Sequence, residues 1–219
     1  MPIKFVSLNE HFIFNIQQHY GYEAHVMKIE DYVPDKKTYY VSPANSLCFF
    51  DGGIDMVLSR IIFPNIEKKV KQIVKELNIR SIVGKYYLPI GSSIIIDHET
   101  DTNKSLIVAP TMLLPQNVSN TRNAYYATMA VLHNIIINKN EQLNDVDILF
   151  TSLCCGFGKM DIIDSIAQIM QGINDYPLYN PIIINENIII CEPNLSDQPK
   201  YYQKTEWFYI NPTEIVNIN

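Results

Sequence analysis

Two short glycine-bearing loops are the parts of this sequence best suited to chemistry. Gly52 and Gly53 follow Phe49-Phe50-Asp51, and Gly156 and Gly158 flank Phe157. Together they are half of the eight glycines in the chain, and each pair lies after an apolar, strand-like run and before a helical one. A strand–glycine loop–helix turn presents backbone N–H groups at the positive end of a helix, which makes it an anion site. Glycine also lets the backbone come close to a ligand. In an open α/β sheet such turns gather at the carboxyl ends of the strands, where ligands bind. The pattern therefore predicts a split phosphate site, set against the plainer reading of two tight turns.

The same loops exclude two common nucleotide sites. Gly156-Phe-Gly158-Lys159-Met160 has neither the spacing nor the hydroxyl of a P-loop, and neither loop matches the dinucleotide fingerprint G-x-G-x-x-G. The four cysteines, Cys48, Cys154, Cys155 and Cys191, form no C-x-x-C pair, and no histidine pair has zinc-like spacing. No metal and no cofactor are expected. Cys154 and Cys155 read as small buried residues rather than nucleophiles, and the five histidines as structural or surface groups.

The elements that must position these loops alternate between apolar runs and helical stretches, which predicts an α/β layer architecture. Residues 3–8 and 24–29 read as strands with a short helix over 9–18 between them, and 38–41 as a third strand. Ile54, Val57, Leu58 and Ile61 recur at helical spacing until Pro64, and a further helix follows over 66–77. The lysines of that helix, Lys68, Lys69, Lys71 and Lys75, mark a solvated face. Residues 93–97 and 106–109 form a strand pair around a turn, 121–138 a long helix, and 146–151 a strand apolar enough for burial on both faces. Residues 162–170 are helical, with Gly172 as the C-terminal stop. Beyond residue 175 the reading is an extension over the core, with a strand or two in 182–190 and Trp207 as its anchor.

The formal net charge of -6 argues against a broad basic face, so no nucleic-acid partner is expected. An acidic protein can still hold phosphates through backbone N–H groups. No run approaches the roughly 20 apolar residues of a membrane helix, and the N-terminus lacks a basic-then-apolar signal. A cytoplasmic, reducing location without a membrane partner is expected.

Two segments resemble a known family. Val41-Ser-Pro-Ala-Asn45-Ser-Leu-Cys-Phe-Phe-Asp-Gly52-Gly53-Ile-Asp55 resembles the first ligand loop of macro domains, and Ser152-Leu-Cys-Cys-Gly156-Phe-Gly158-Lys-Met160 resembles the second. Ala109-Pro-Thr-Met112 and Thr121-Arg-Asn-Ala-Tyr125 look like a branch of that family with a Pro-Ala-Asn-Ser first loop. The resemblance covers about residues 1–175 and implies a three-layer α/β/α sandwich with a central mixed sheet, followed by a C-terminal extension over 176–219. It also implies a protein that binds ADP-ribose or an ADP-ribosylated protein, either as a metal-independent hydrolase of ADP-ribose derivatives or as a non-catalytic reader.

Carried over position by position, Asn45 would hydrogen-bond the distal ribose and Asp55 would lie near the reacting ribose carbon. Gly52, Gly53 and Ile54 would lie along the ribose and one phosphate, and Cys155, Gly156, Phe157 and Gly158 around the other. Asp31, with Glu30 as the alternative, would accept from the adenine amino group. Ser42 stands where the family usually has an asparagine and Cys155 where it usually has a threonine, which weakens the case for catalysis. On the residues alone, Asn45 also reads as a turn residue and Asp55 as a helix cap.

Overall fold

The computed structural model describes residues 2–79, 84–139, 145–178, 181–185 and 188–190. In chain order the elements are β1 (Ile3–Ser7), α1 (Glu10–Asn15) with a wider turn over Ile16–Tyr20, and β2 (Glu23–Val26). β3 (Lys37–Ser42), α2 (Gly53–Val57) with a second wide turn over Leu58–Ile62, and α3 (Ile66–Glu76) follow. Then come β4 (Ser92–Asp97), β5 (Lys104–Val108), α4 (Asn123–Lys139), β6 (Val146–Phe150) and α5 (Ile162–Asp175). β7 (Ile182–Asn185) and β8 (Ile188–Ile190) complete the set. One sheet holds the described strands in the order β2-β1-β6-β3-β5-β4-β8-β7. The first five in that order run parallel, and the β4, β8 and β7 edge is antiparallel.

Alternate strand residues feed two separate cores. Tyr39, Val41, Ile107, Ile148 and Phe150 pack with Phe12 of α1, Val131 and Ile135 of α4, and Ile166 and Ile169 of α5. Tyr40, Leu106, Val108 and Leu149 pack on the opposite face with Leu58, Phe63 and the α3 residues Ile66, Val70 and Val74. Helices on both faces explain why the central strands read as continuous apolar runs. The fold is a three-layer α/β/α sandwich on a mixed sheet, as the residues and the resemblance predict. The lysines of α3 stay on its outer side, with Lys68, Lys71 and Lys75 exposed.

Local signals fix the ends of several elements. Asn9 Oδ1 accepts from Phe12 N at 3.0 Å and Asp161 Oδ1 from Ile163 N at 2.8 Å, capping α1 and α5. His98 closes the β4–β5 turn, accepting at Nδ1 from Asp101 N at 3.0 Å while Nε2 bonds Ile62 O at 2.9 Å. At the amino end of β6 the carboxylate of Asp147, 1% exposed, sits between Lys4 Nζ at 2.9 Å and Lys36 Nζ at 3.0 Å.

Two element ends depart from the sequence reading for a clear physical reason. β2 ends at Val26 because its partner β1 ends at Ser7, and the chain then folds into a short 3-10 turn over Ile29–Asp31 that buries Ile29. α5 runs past Gly172 to Asp175. Gly172 is a contact point rather than a stop: a Cβ there would lie 2.9 Å from Cβ of Thr128, so only glycine lets α5 approach α4. β7 and β8 join the sheet through β4. Trp207 and Cys191 lie outside the described residues.

Candidate functional site

The first loop begins where β3 ends, at Ser42. Pro43 and Ala44 lead into a turn closed by Cys48, whose left-handed φ of 55° lets its N–H reach Asn45 O at 2.9 Å. The Asn45 side chain spans the same turn, donating from Nδ2 to Phe49 O at 2.9 Å and accepting at Oδ1 from Phe49 N at 3.3 Å. Gly52 is extended, and Gly53 adopts φ 57°, the left-handed conformation that turns the chain into α2. In the first turn of α2 the N–H groups have no intrahelical partner.

Residues 109–112 brace this loop from behind. Asn45 bridges to Met112, Thr111 N donates to Ala44 O at 2.9 Å, and Thr111 Oγ1 donates to Pro43 O at 2.9 Å. Asn123, at the start of α4, donates to Thr111 O at 2.7 Å and is 2% exposed. In the sequence both segments stand out only through the resemblance. The local signal for Asn123 is a polar side chain at the head of a largely apolar helix.

The second loop leaves β6 at Thr151. Cys154 takes φ 62°, and its carbonyl accepts from Met160 N at 3.1 Å, so the chain returns on itself within six residues. At Gly158 a Cβ would lie 2.3 Å from Cys154 O and 2.8 Å from Val118 Cγ2, which leaves room for glycine alone. Gly158 O accepts from Val118 N at 2.8 Å, tying the loop to the segment ahead of α4. Among the described residues, no acceptor takes the N–H groups of Gly156, Phe157 or Gly158.

Between the loops lies a cleft of about 430 Å³. It is lined by Asn45, Gly52, Gly53, Ile54 and Asp55 from the first loop and by Gly156, Phe157 and Gly158 from the second. The loops meet across it: the Phe157 ring lies over Gly52, whose Cβ, were there one, would touch Phe157 Cε2 at 3.4 Å. Val6, Leu8, Met27 and Ile29 make the other end apolar, with Lys28 and Glu30 beside them. Asp31 is exposed on the far side of its turn and is not a lining residue; Glu30 is. Cys155 also stands off the cleft, its Sγ donating to Leu153 O at 3.3 Å, and Cys154 lines the wall instead.

Charge in the cleft is uneven. Glu30, Asp51 and Asp55 supply carboxylates, and Lys28 is the one cation among the described lining residues. An anion bound near the loops must therefore be held mainly by backbone N–H groups. Asp55 Oδ1 accepts from Ser42 Oγ at 2.7 Å. Burial pushes the Asp55 carboxyl up to about 7, the Ser42 hydrogen bond opposes that rise, and the nearby Asp51 charge adds to it. Burial also pushes the Cys48 and Cys154 thiols up to about 12 and raises Cys155, so each is a poor nucleophile. Among the described residues, no three His, Cys, Asp or Glu side chains cluster to hold a metal, and no helix is long and apolar enough to cross a membrane.

No protein-family profile and no curated protein matches the sequence. Solved structures do match in fold. A mutant of the Oceanobacillus iheyensis macrodomain with ADPR superposes at a TM-score of 0.51 and 18% identity, over 70% of this chain and 74% of that chain. A second mutant gives 0.52 at 19% identity over 65% and 71%. The same macrodomain with MES bound gives 0.51 at 19% identity over 65% and 70%. By its layers, its sheet and these superpositions, the chain has the macrodomain fold.

Proposed function

We propose that the cleft binds ADP-ribose or a derivative of it, within a ligand-binding domain over residues 1–175 that 176–219 extend. The observation that carries this reading is the meeting of two glycine loops over one cleft, with Phe157 against Gly52 and N–H groups from 156 to 158 that have no acceptor among the described residues. Such a frame suits a pyrophosphate, whose charge the backbone dipoles would hold in a cleft poor in cations. The fold likeness to a macrodomain solved with ADPR supports the same ligand. The apolar end, with Glu30 as an acceptor, suits the adenine, and the Asp55 end suits the distal ribose.

Hydrolysis of an ADP-ribosyl derivative is the chemistry Asp55 would perform. A carboxylate that titrates near 7 can take a proton from water as the water attacks the anomeric carbon and the bond to the leaving group breaks. Orientation by the loops would supply much of the rate. The other reading is a reader of ADP-ribosylated proteins that does not turn them over. The Asn45 amide favours it, because both of its ends are already bonded to the Phe49 backbone.

Calorimetric titration with ADP-ribose, with AMP and NAD as controls, tests the binding claim. Micromolar binding, about -8 kcal/mol, that Phe157→Ala and Asn45→Ala weaken is the expected result. Absence of heat from folded protein would sink it. Release of free ADP-ribose from an ADP-ribosylated protein, lost in Asp55→Ala, separates hydrolase from reader.

A further inference from the structure

Ser42 stands where an asparagine is usual in the resembling loop, which in sequence is the loss of an amide. The geometry gives it a task. Ser42 is the last residue of β3 and fully buried, paired with Val108 of β5, and its carbonyl accepts from Ala109 N at 3.0 Å. Its hydroxyl donates to Asp55 Oδ1 at 2.7 Å, across a sequence gap of 13 residues. A rigid strand end thus grips a carboxylate on the first turn of α2, a segment that otherwise rests on a left-handed glycine.

We infer that Ser42 is the positioning residue of the site: it holds Oδ1 of Asp55 and leaves Oδ2 as the acceptor for a ribose hydroxyl of the ligand. This rests on the ADP-ribose reading above. An ionised carboxylate accepts from a hydroxyl more strongly than a neutral acid does. Ligand binding should therefore strengthen as pH rises through the titration of Asp55.

Ser42 enters that titration directly, because its donated bond favours the charged carboxylate, against burial and the Asp51 charge. The other ionisable groups around the site are Cys48 in the same loop, Cys154 in the second, and Lys28 and Glu30 at the apolar end. Lys71 and Glu67 of α3 act on Cys48 rather than on Asp55. Ser42 is thus the hydrogen-bond donor that acts on the Asp55 carboxylate.

The test is the pH profile of ADP-ribose affinity for the full chain, measured as Kd from about pH 5 to 9, for the unmodified protein, Ser42→Ala and Ser42→Thr. In the unmodified protein the affinity should rise about fivefold across the transition. Ser42→Ala should move the midpoint up by about half a pH unit or more, and Ser42→Thr, which keeps the hydroxyl, should restore it. An affinity loss equal at every pH, with the midpoint unmoved, would mean that Ser42 is only structural and overturns the inference. Lack of any ADP-ribose binding by the unmodified protein would instead remove the underlying reading. A second readout needs no ligand: the side-chain carboxyl 13C shift of Asp55 should titrate at a higher pH in Ser42→Ala than in the unmodified protein. If Ser42→Ala does not fold, Ser42→Cys, with its weaker donor, should show the same upward shift, and an unchanged midpoint overturns the inference.

Discussion

The ring of Phe157 rests on the backbone of Gly52, close enough that a methyl group at Gly52 would meet its Cε2 at 3.4 Å. Residues 105 positions apart thereby join the two halves of one cleft. Phe157 is 65% exposed, so it contributes little to the core and is free to serve a ligand. Phe157→Ala should leave the melting temperature nearly unchanged and weaken ADP-ribose about five- to tenfold, read by calorimetry. Gly52→Ala should also fold, since its φ of -154° suits any residue, while its new methyl reduces the space beneath the ring and lowers affinity.

Gly158→Ala should behave differently. The added carbon would lie 2.3 Å from a backbone carbonyl, which cannot move without unmaking the turn to Met160. A loss of about 1–3 kcal/mol in urea unfolding is expected, together with loss of ligand binding. Normal stability in this variant would show that the second loop is softer than its contacts imply.

Asp55 makes a pH prediction with a definite sign. Its folded value of about 7 lies above the ordinary 3.8, so the folded state holds the proton longer than the unfolded state does. That contribution to stability is present at low pH and is lost as pH rises through the window between those values. Asp55→Asn has no proton to lose and can still accept from Ser42. Its melting temperature should exceed that of the unmodified protein at about pH 8, with the gap closing or reversing at about pH 4. An equal offset at both pH values would contradict the assignment.

Asp147 tests the opposite end of the sheet. Its carboxylate is 1% exposed between two lysines, whereas the lysine side chains are 16% and 35% exposed. Asp147→Ala leaves two half-solvated ammonium groups close together. The expected cost is about 2 kcal/mol in denaturant unfolding, between the ranges for exposed and buried pairs, with ADP-ribose affinity unchanged because the cleft lies at the other strand ends.

The layered fold was legible because its signals are local. Apolar runs of strand length and helical spacing from Ile54 onward each survive in the structure. The two glycine loops were legible for the same reason, since strand–glycine–helix order sits in one short stretch. Contacts between distant segments were not. Nothing local tells a reader that Gly172 faces Thr128, so it looks like a helix stop. Likewise Ser42 looks like a lost amide until Asp55 is seen beside it. The support that Thr111 and Asn123 give the first loop depends on β3 and β5 being neighbours in the sheet, which sequence order conceals.

The second loop is locked by its own chain: Cys154 to Met160, Gly158 to Val118, and a glycine with no room for another residue. Its N–H groups are therefore held in place by the protein itself, and an anion bound there would spend almost no conformational entropy in shaping them. Association should be a single step whose observed rate rises linearly with ADP-ribose concentration in stopped flow, without a later isomerisation phase. Affinity differences among loop variants would then be written in the dissociation rate.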